Sequence, residues 1–176
     1  MTSTLLHRPD APTEPDAPVM AAIVQDRYGP PESLRPATVP RPVVGPDQVL
    51  VAVHAAGIDR GTWHLATGRP YVARLAGIGL RRPKNRVAGR DVAGRVVAMG
   101  DGVSRFAAGD EVFGITEGSF ATYAVAGADK LALRPAAVAV EAAAVAATSG
   151  ITALQALTEV GRLAPGQRVL VIGASG

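Results

Sequence analysis

The chain has 176 residues, of which 48% are hydrophobic and 19% charged, a composition that is typical of a globular domain and excludes an intrinsically disordered protein. It contains no cysteine, which excludes disulfides and thiolate metal ligands and fits a reducing compartment such as the cytoplasm. The net charge is +3 and arginine supplies most of the positive charge, without interleaved aromatic residues. We therefore predict solvated surface arginines and no nucleic-acid binding.

The N-terminal segment is rich in proline and acidic residues. Its prolines are Pro9, Pro12, Pro15 and Pro18. It lacks the apolar run of a signal peptide, so we predict a disordered tail over residues 1–19 and a cytoplasmic protein. The sequence shows no continuous run of about 20 apolar residues, which predicts that nothing spans a membrane.

Short strand candidates with glycine and proline turns fill the next part of the chain. They lie at residues 21–24, 48–57, 91–100, 109–114 and 119–125. This spacing predicts an antiparallel β-barrel or sandwich over residues 20–137. Gly94 interrupts the third candidate and predicts a bulge or a barrel corner. Residues 71–86 are predicted to form a long loop, and loops of this length often carry specificity.

The pattern changes after residue 137. Residues 138–147 and 151–163 predict two helices, separated at Thr148, Ser149 and Gly150. Residues 168–172 read Arg-Val-Leu-Val-Ile, which predicts a buried parallel strand. The four residues after it are Gly173, Ala174, Ser175 and Gly176. This arrangement predicts either the opening of a dinucleotide-binding βαβ unit or a βα turn that holds no ligand.

Six motifs occur in a fixed order along the chain. They occupy residues 57–59, 89–94, 109–114, 118–123, 149–154 and 169–176. Together they resemble the medium-chain dehydrogenase/reductase superfamily, in its zinc-free, quinone-oxidoreductase-like branch. The resemblance implies a mainly β, GroES-like catalytic domain over residues 20–137. Residues 138–176 would then be linking helices and the first strand of a truncated Rossmann α/β domain.

The resemblance also implies an activity. The complete protein would be a homo-oligomer that uses NADP or NAD to reduce a small-molecule substrate, namely a quinone, an enone or a small carbonyl compound. The helix that would hold the cofactor pyrophosphate lies beyond Gly176, so we expect this chain alone to be inactive. The alternative is a non-enzymatic GroES-like remnant that acts as a binding or oligomerisation module.

The residues at the implied metal position argue against zinc. By the resemblance, Asp59 stands where zinc-dependent relatives place a cysteine, and Arg90 stands where they place a histidine. An arginine side chain cannot ligate a cation, and zinc needs three protein ligands. His54 lies within a strand candidate and His64 has no partner at ligand spacing. We therefore predict no zinc.

The resemblance also gives the candidate site residues. Asp59 lies at the floor of the implied cleft, where it either contacts substrate and nicotinamide or caps a helix. Asp91 is predicted to form a structural ion pair with Arg90. The residues predicted to be catalytic are Asp59, Thr62, Trp63 and Tyr71. Those predicted to bind the cofactor are Asp59, Thr148, Ser149, Thr152, Gly173, Ala174, Ser175 and Gly176. For Thr148, Ser149 and Thr152, the alternative is that their hydroxyls satisfy a break between two helices.

Overall fold

The computed structural model of the protein describes residues 18–172. Most of the predicted tail, and the glycine turn of residues 173–176, lie outside the described residues. The strands are β1 (Val19–Val24), β2 (Arg35–Pro40), β3 (Gln48–Ala56), β4 (Asp91–Met99), β5 (Glu111–Ile115), β6 (Tyr123–Gly127) and β7 (Leu131–Leu133). The α-helices are α1 (Arg60–Thr67) and α2 (Val140–Gln155). The structure confirms the predicted mainly β domain that is followed by a helix.

Two antiparallel sheets form the β-domain. Strands β1 and β2 make a two-stranded sheet, and the larger sheet has the order β6-β3-β4-β5-β7. Isolated bridges from Ala22 to Ala121 and from Val24 to Val87 join the smaller sheet to the rest of the domain. The β-domain therefore has the antiparallel architecture that the spacing of its strands predicts.

Strand β3 is buried on both faces and carries two hydrophobic cores. Val49 and Val51 pack in one core with Val92 of β4, while Leu50 and Ala52 pack in the other with residues of β1. Successive side chains of a strand point to opposite faces, so alternate residues of one apolar run serve alternate cores. This explains why the segment is continuously apolar instead of alternating with polar residues.

A bulge lies beside Gly94, as the sequence predicts, but the extra residue is on the neighbouring strand. Val53 pairs with Gly94 and Ala55 pairs with Ala93, so His54 of β3 is the inserted residue. A Cβ atom at position 94 would lie 2.0 Å from the carbonyl oxygen of Ala52. Glycine is needed at this position because the two backbones approach too closely for any side chain.

The segment after α1 is anchored by two side chains from the stretch that follows β1. The Tyr28 hydroxyl lies 2.7 Å from the carbonyl oxygens of both Ile78 and Gly79. The buried Gln25 side chain donates a 2.6 Å hydrogen bond to the carbonyl oxygen of Ala66, near the end of α1. These contacts fix the segment against β1, although it contains no strand and only one short helical turn, Arg74–Ile78.

Helix α2 is continuous, which corrects the prediction of a break at residues 148–150. It runs through Thr148 and Gly150 to Gln155 and continues as a π-helical turn, Ala156–Val160. Ala143 and Ala144 are buried against Ala93 of β4. Their small side chains let the helix approach the sheet closely, and the contact stabilises helical geometry in a stretch whose local residues favour a break.

The predicted strand at residues 168–172 is not formed. This segment has no regular secondary structure, and Leu170 and Ile172 are 83% and 87% exposed. A parallel strand depends on neighbouring strands for its hydrogen bonds and its burial, and the described residues supply no such neighbour here.

One stretch of the described chain, Val140–Val160, has the length and apolar composition of a membrane-crossing helix. Its first half packs on the sheet, in the manner of a core helix of a globular domain. Length and composition alone do not separate these two kinds of helix.

Candidate active site

Asp59 begins α1 as its N-cap. Its side-chain oxygen Oδ1 accepts a 2.6 Å hydrogen bond from the backbone N–H of Thr62 and a 2.7 Å bond from the Thr62 hydroxyl. A carboxylate at this position satisfies an N–H group that has no partner within the helix. The capping role that the sequence analysis weighed for Asp59 is therefore present, and Thr62 is buried beneath it.

The electrostatic surroundings of Asp59 favour its charged form. Partial burial opposes ionisation, but the two hydrogen bonds from Thr62 and the positive charge of Arg90 outweigh it and hold the pKa of Asp59 below its ordinary value. Asp59 is thus an acceptor at neutral pH, and Arg90 is close enough to act on it.

Asp91 does not pair with Arg90, which corrects the predicted ion pair. It is 1% exposed, and its carboxylate accepts hydrogen bonds from the hydroxyl and the backbone N–H of Thr148 in α2. Asp91 is the first residue of β4, and its carboxylate points towards α2. The Asp91 carboxylate therefore ties the first residue of β4 to the middle of the helix.

Gly57 brings the end of β3 into the same junction. Its N–H donates a 3.1 Å hydrogen bond to the carbonyl oxygen of Asp91. A Cβ atom at this position would lie 2.4 Å from the carbonyl oxygen of Ala144 in α2. Because only glycine permits this approach, the start of α1, the start of β4 and the middle of α2 converge at one place.

A groove with a volume of about 900 Å³ lies beside this junction. Thr62 of α1 and Arg90, directly before β4, contribute to its walls. Other residues that line it include Lys84, Asn85, Glu117 and Phe120. The groove is large enough for a small aromatic or carbonyl compound and has both apolar and charged walls.

The chain resembles known proteins over this architecture. Residues 45–137 match the family of alcohol dehydrogenase GroES-like domains. The quinone oxidoreductase of Sus scrofa is 32% identical over 161 residues, which cover 90% of this chain and 46% of that protein. Among solved structures, the quinone oxidoreductase from Coxiella burnetii is 30% identical with a TM-score of 0.71, over 81% of this chain and 45% of that one.

The Escherichia coli quinone oxidoreductase, solved in complex with NADPH, is 25% identical with a TM-score of 0.68, over 80% of this chain and 41% of that one. The chain belongs to the medium-chain dehydrogenase/reductase superfamily, in its quinone-oxidoreductase-like branch. It spans less than half the length of each of these quinone oxidoreductases. Within the family architecture, residues 45–137 form the GroES-like domain.

Of the predicted catalytic residues in this GroES-like domain, the structure brings only Asp59 and Thr62 together at the junction. Trp63 is 39% exposed and its ring faces the guanidinium of Arg60 at 4.7 Å. Tyr71 is 63% exposed, with Arg74 at 4.8 Å from its ring. Neither aromatic side chain is among the described residues that line the groove.

The predicted cofactor residues of α2 lie close to the junction. Thr148 is bonded to Asp91, and the Thr152 hydroxyl donates a 2.7 Å hydrogen bond to the carbonyl oxygen of Thr148. Ser149 and Thr152 are exposed. The alternative that these hydroxyls satisfy a break between two helices is wrong, because the helix is continuous. The turn from Gly173 to Gly176 lies outside the described residues.

Arg90 lines the groove. The sequence pattern predicts an ion pair between Arg90 and Asp91 instead, and so does not place Arg90 in a groove. The signal that could have found it is the alternation at the start of a strand. An aspartate that is buried on one face places its neighbour on the other face.

Proposed function

We propose that this chain is the catalytic-domain portion of a zinc-independent, NAD(P)H-dependent oxidoreductase that reduces quinones, enones or other small activated carbonyl compounds. The observation that carries the proposal is the groove beside the Asp59–Thr62 cap. At this cap the end of β3 and the start of β4 meet α2. The similarity to quinone oxidoreductases, one of them solved with NADPH, supports the same chemistry.

The residues of the junction fit a nicotinamide cofactor. When bound, NAD(P)H would supply the hydride. The Thr148 hydroxyl is occupied by Asp91, so its role is to position α2, whereas Ser149 and Thr152 present exposed hydroxyls on the same helix. Ser149, Thr152 and Asp59 would hold the nicotinamide side. Gly173, Ala174, Ser175 and Gly176 would hold the pyrophosphate at a helix N-terminus.

Zinc independence is part of the proposal and rests on the donor set. The part of the chain that the structure describes contains no group of three or more histidine, cysteine or acidic residues that could hold a metal ion. Asp59, at the implied metal position, is engaged by Thr62, and the nearby cation Arg90 would repel a second positive charge. Elemental analysis of dialysed protein should find well under one zinc per chain, and stoichiometric zinc would contradict this part of the proposal.

The role of the Asp59 carboxylate can be separated from its capping role. A chimera would join residues 1–172 to the second half of the Coxiella burnetii relative, with NADPH oxidation by a quinone as the readout. Asp59→Ala should cost about 1 kcal/mol of stability through the lost cap and reduce kcat/KM about 10-fold. Asp59→Ser retains a capping oxygen, so it should keep the stability and still lose the activity. Full activity of Asp59→Ser would show that the carboxylate is only a cap.

The 176-residue chain alone is proposed to be inactive. Residues 168–172 are exposed and lack strand partners among the described residues, so the segment that precedes the glycine turn is not held in place. The unjoined chain is therefore the negative control for the chimera. Cytoplasmic location and homo-oligomer formation by the complete protein stay predictions.

A further inference from the structure

The segment that forms one side of the groove carries positive charge without acidic residues. Between Arg60 and Arg90 the sequence contains basic residues throughout and no aspartate or glutamate. Several of these arginines have partners elsewhere. Arg86 pairs with Asp26 at 2.6 Å, and Arg74 donates to the carbonyl oxygen of Gly68 at 2.9 Å. Of this segment, Lys84 and Arg90 are the charged residues that line the groove.

The backbone holds Arg90 in a fixed position. Its carbonyl oxygen accepts a 2.8 Å hydrogen bond from Thr116, and the carbonyl oxygen of Gly89 accepts a 2.9 Å bond from Gly118. Gly89 has a φ of +92°, and a Cβ atom there would lie 2.3 Å from the Ser119 hydroxyl oxygen. The backbone that carries the Arg90 side chain is therefore fixed before any ligand arrives.

Arg90 is half-buried, and its guanidinium makes no hydrogen bond or ion pair with the residues that the structure describes. Asp59 acts on Arg90 through its charge, without a hydrogen bond between the two side chains. A guanidinium offers five N–H donors in a plane that matches a carboxylate. An arginine that lines a groove and has no protein partner is therefore available to a ligand.

The charges around Arg90 favour a monoanion. Lys84 and Arg90 line the same groove as Glu117, while Asp129 and Lys130, which also line it, pair with each other at 3.0 Å. Outside the Asp129–Lys130 pair, the lining therefore carries one net positive charge, and the Asp59 carboxylate, which does not line the groove, lowers the positive potential at Arg90, so that the site matches one negative charge and not two.

We propose that Arg90 binds a carboxylate on the substrate, so that the groove selects quinones or enones that carry one negative charge over their neutral counterparts. The inference rests on the proposed function for the reaction, but the binding preference itself requires neither cofactor nor turnover. Arg90 is therefore assigned as a specificity-determining residue.

The test compares two ligands on the 176-residue chain. The probes are anthraquinone-2-carboxylate and its neutral amide, and binding is followed by quenching of the single tryptophan, Trp63, which adjoins Thr62 in the groove wall. Arg90→Met should weaken binding of the carboxylate by about 10-fold or more and leave the amide unchanged within about twofold. Arg90→Lys should retain part of the preference, since it keeps the charge but not the planar fork.

The matched control is Arg81→Met, an exposed residue of the same acid-free segment that does not line the groove. It should change neither affinity, and thermal melts establish that each variant is folded. The proposal would be overturned if Arg90→Met lost affinity equally for the carboxylate and the amide. It would also be overturned if Arg81→Met lost as much affinity for the carboxylate as Arg90→Met does. If Arg90→Met does not fold, an unchanged carboxylate preference in Arg90→Lys would overturn it, since the planar fork would then be dispensable. A chimera that fails to oxidise NADPH would refute the proposed function and leave this binding result standing.

Discussion

The β-domain and the C-terminal part of the chain use the same kinds of apolar residue with opposite results. Between β1 and β7, valines such as Val51, Val92 and Val112 are fully buried. From residue 149 to residue 172 every residue is exposed, including Leu154 and Ile172. The apolar residues of the β-domain find their partners on neighbouring strands of the same domain. Those after residue 149 have no such partners among the described residues.

This difference shows where the stability of the molecule resides. The β-domain encloses its own cores, so its folding does not depend on the exposed segment. The same kind of substitution should therefore change the free energy of unfolding by very different amounts in the two regions.

The largest difference is expected for two glycines. Gly94→Ala places a methyl group against the Ala52 carbonyl oxygen, where there is no space, and should cost about 3 kcal/mol or more. Gly150→Ala meets no atom within 4 Å and should stabilise α2 by up to about 1 kcal/mol. Urea denaturation measures both. A Gly94→Ala protein of ordinary stability would show that the β3–β4 approach is looser than described.

A second comparison removes methyl groups. Val112 is 0% exposed in the core, and Val112→Ala should cost about 2 kcal/mol through lost burial and a residual cavity. Val160 is 82% exposed, and Val160→Ala should stay within about 0.5 kcal/mol of the parent protein. Similar losses at both positions would mean that residues after 149 are buried in solution, for example by self-association, which light scattering would detect.

The smallest effect is expected at the surface of the β-domain. Asp26 binds Arg86 and Arg35, and these hydrogen bonds and charges lower its pKa from 3.8 to about 2. A lowered pKa in the folded state stabilises the protein above the unfolded value near 3.8, and this contribution disappears as the pH falls through about 2. Asp26→Asn should thus lower Tm slightly at pH 6 and by less at each step towards pH 2. Salt should shrink the effect, because the groups are half exposed.

The strands that the sequence predicts best are those with a long apolar run, such as β3, because burial on both faces leaves a continuous local signal. Strand β2 was not predicted, since Pro36 and Pro40 lie in it. Among the described residues it pairs with β1 alone, so its other edge has no partner strand there and tolerates proline. Residues 168–172 have the pattern of a strand but lack the neighbours that would make one, and a local pattern cannot report on neighbours.

At the candidate site, the sequence offered a helix cap as one of two alternatives for Asp59, and this local alternative could be named because an N-cap involves residues only three positions apart. The bond between Asp91 and Thr148 spans 57 positions, so the sequence could not reveal it. That one long-range contact accounts for two errors. It supplies the true partner of Asp91, and it holds α2 at the point where the helix was expected to break.

The anchoring of the segment after α1 bears on how this protein could acquire new substrates. Tyr28 and Gln25 hold the segment through backbone carbonyl oxygens, which every amino acid provides. Side chains there can therefore be exchanged, by mutation or by grafting, without loss of the anchor. Glycines are exceptions: a Cβ atom at Gly79 would lie 2.1 Å from the Arg82 carbonyl oxygen, and one at Gly68 would lie 2.6 Å from the Tyr28 ring. The segment can thus diverge in sequence while it keeps its path, so the specificity of the groove can evolve separately from the stability of the domain.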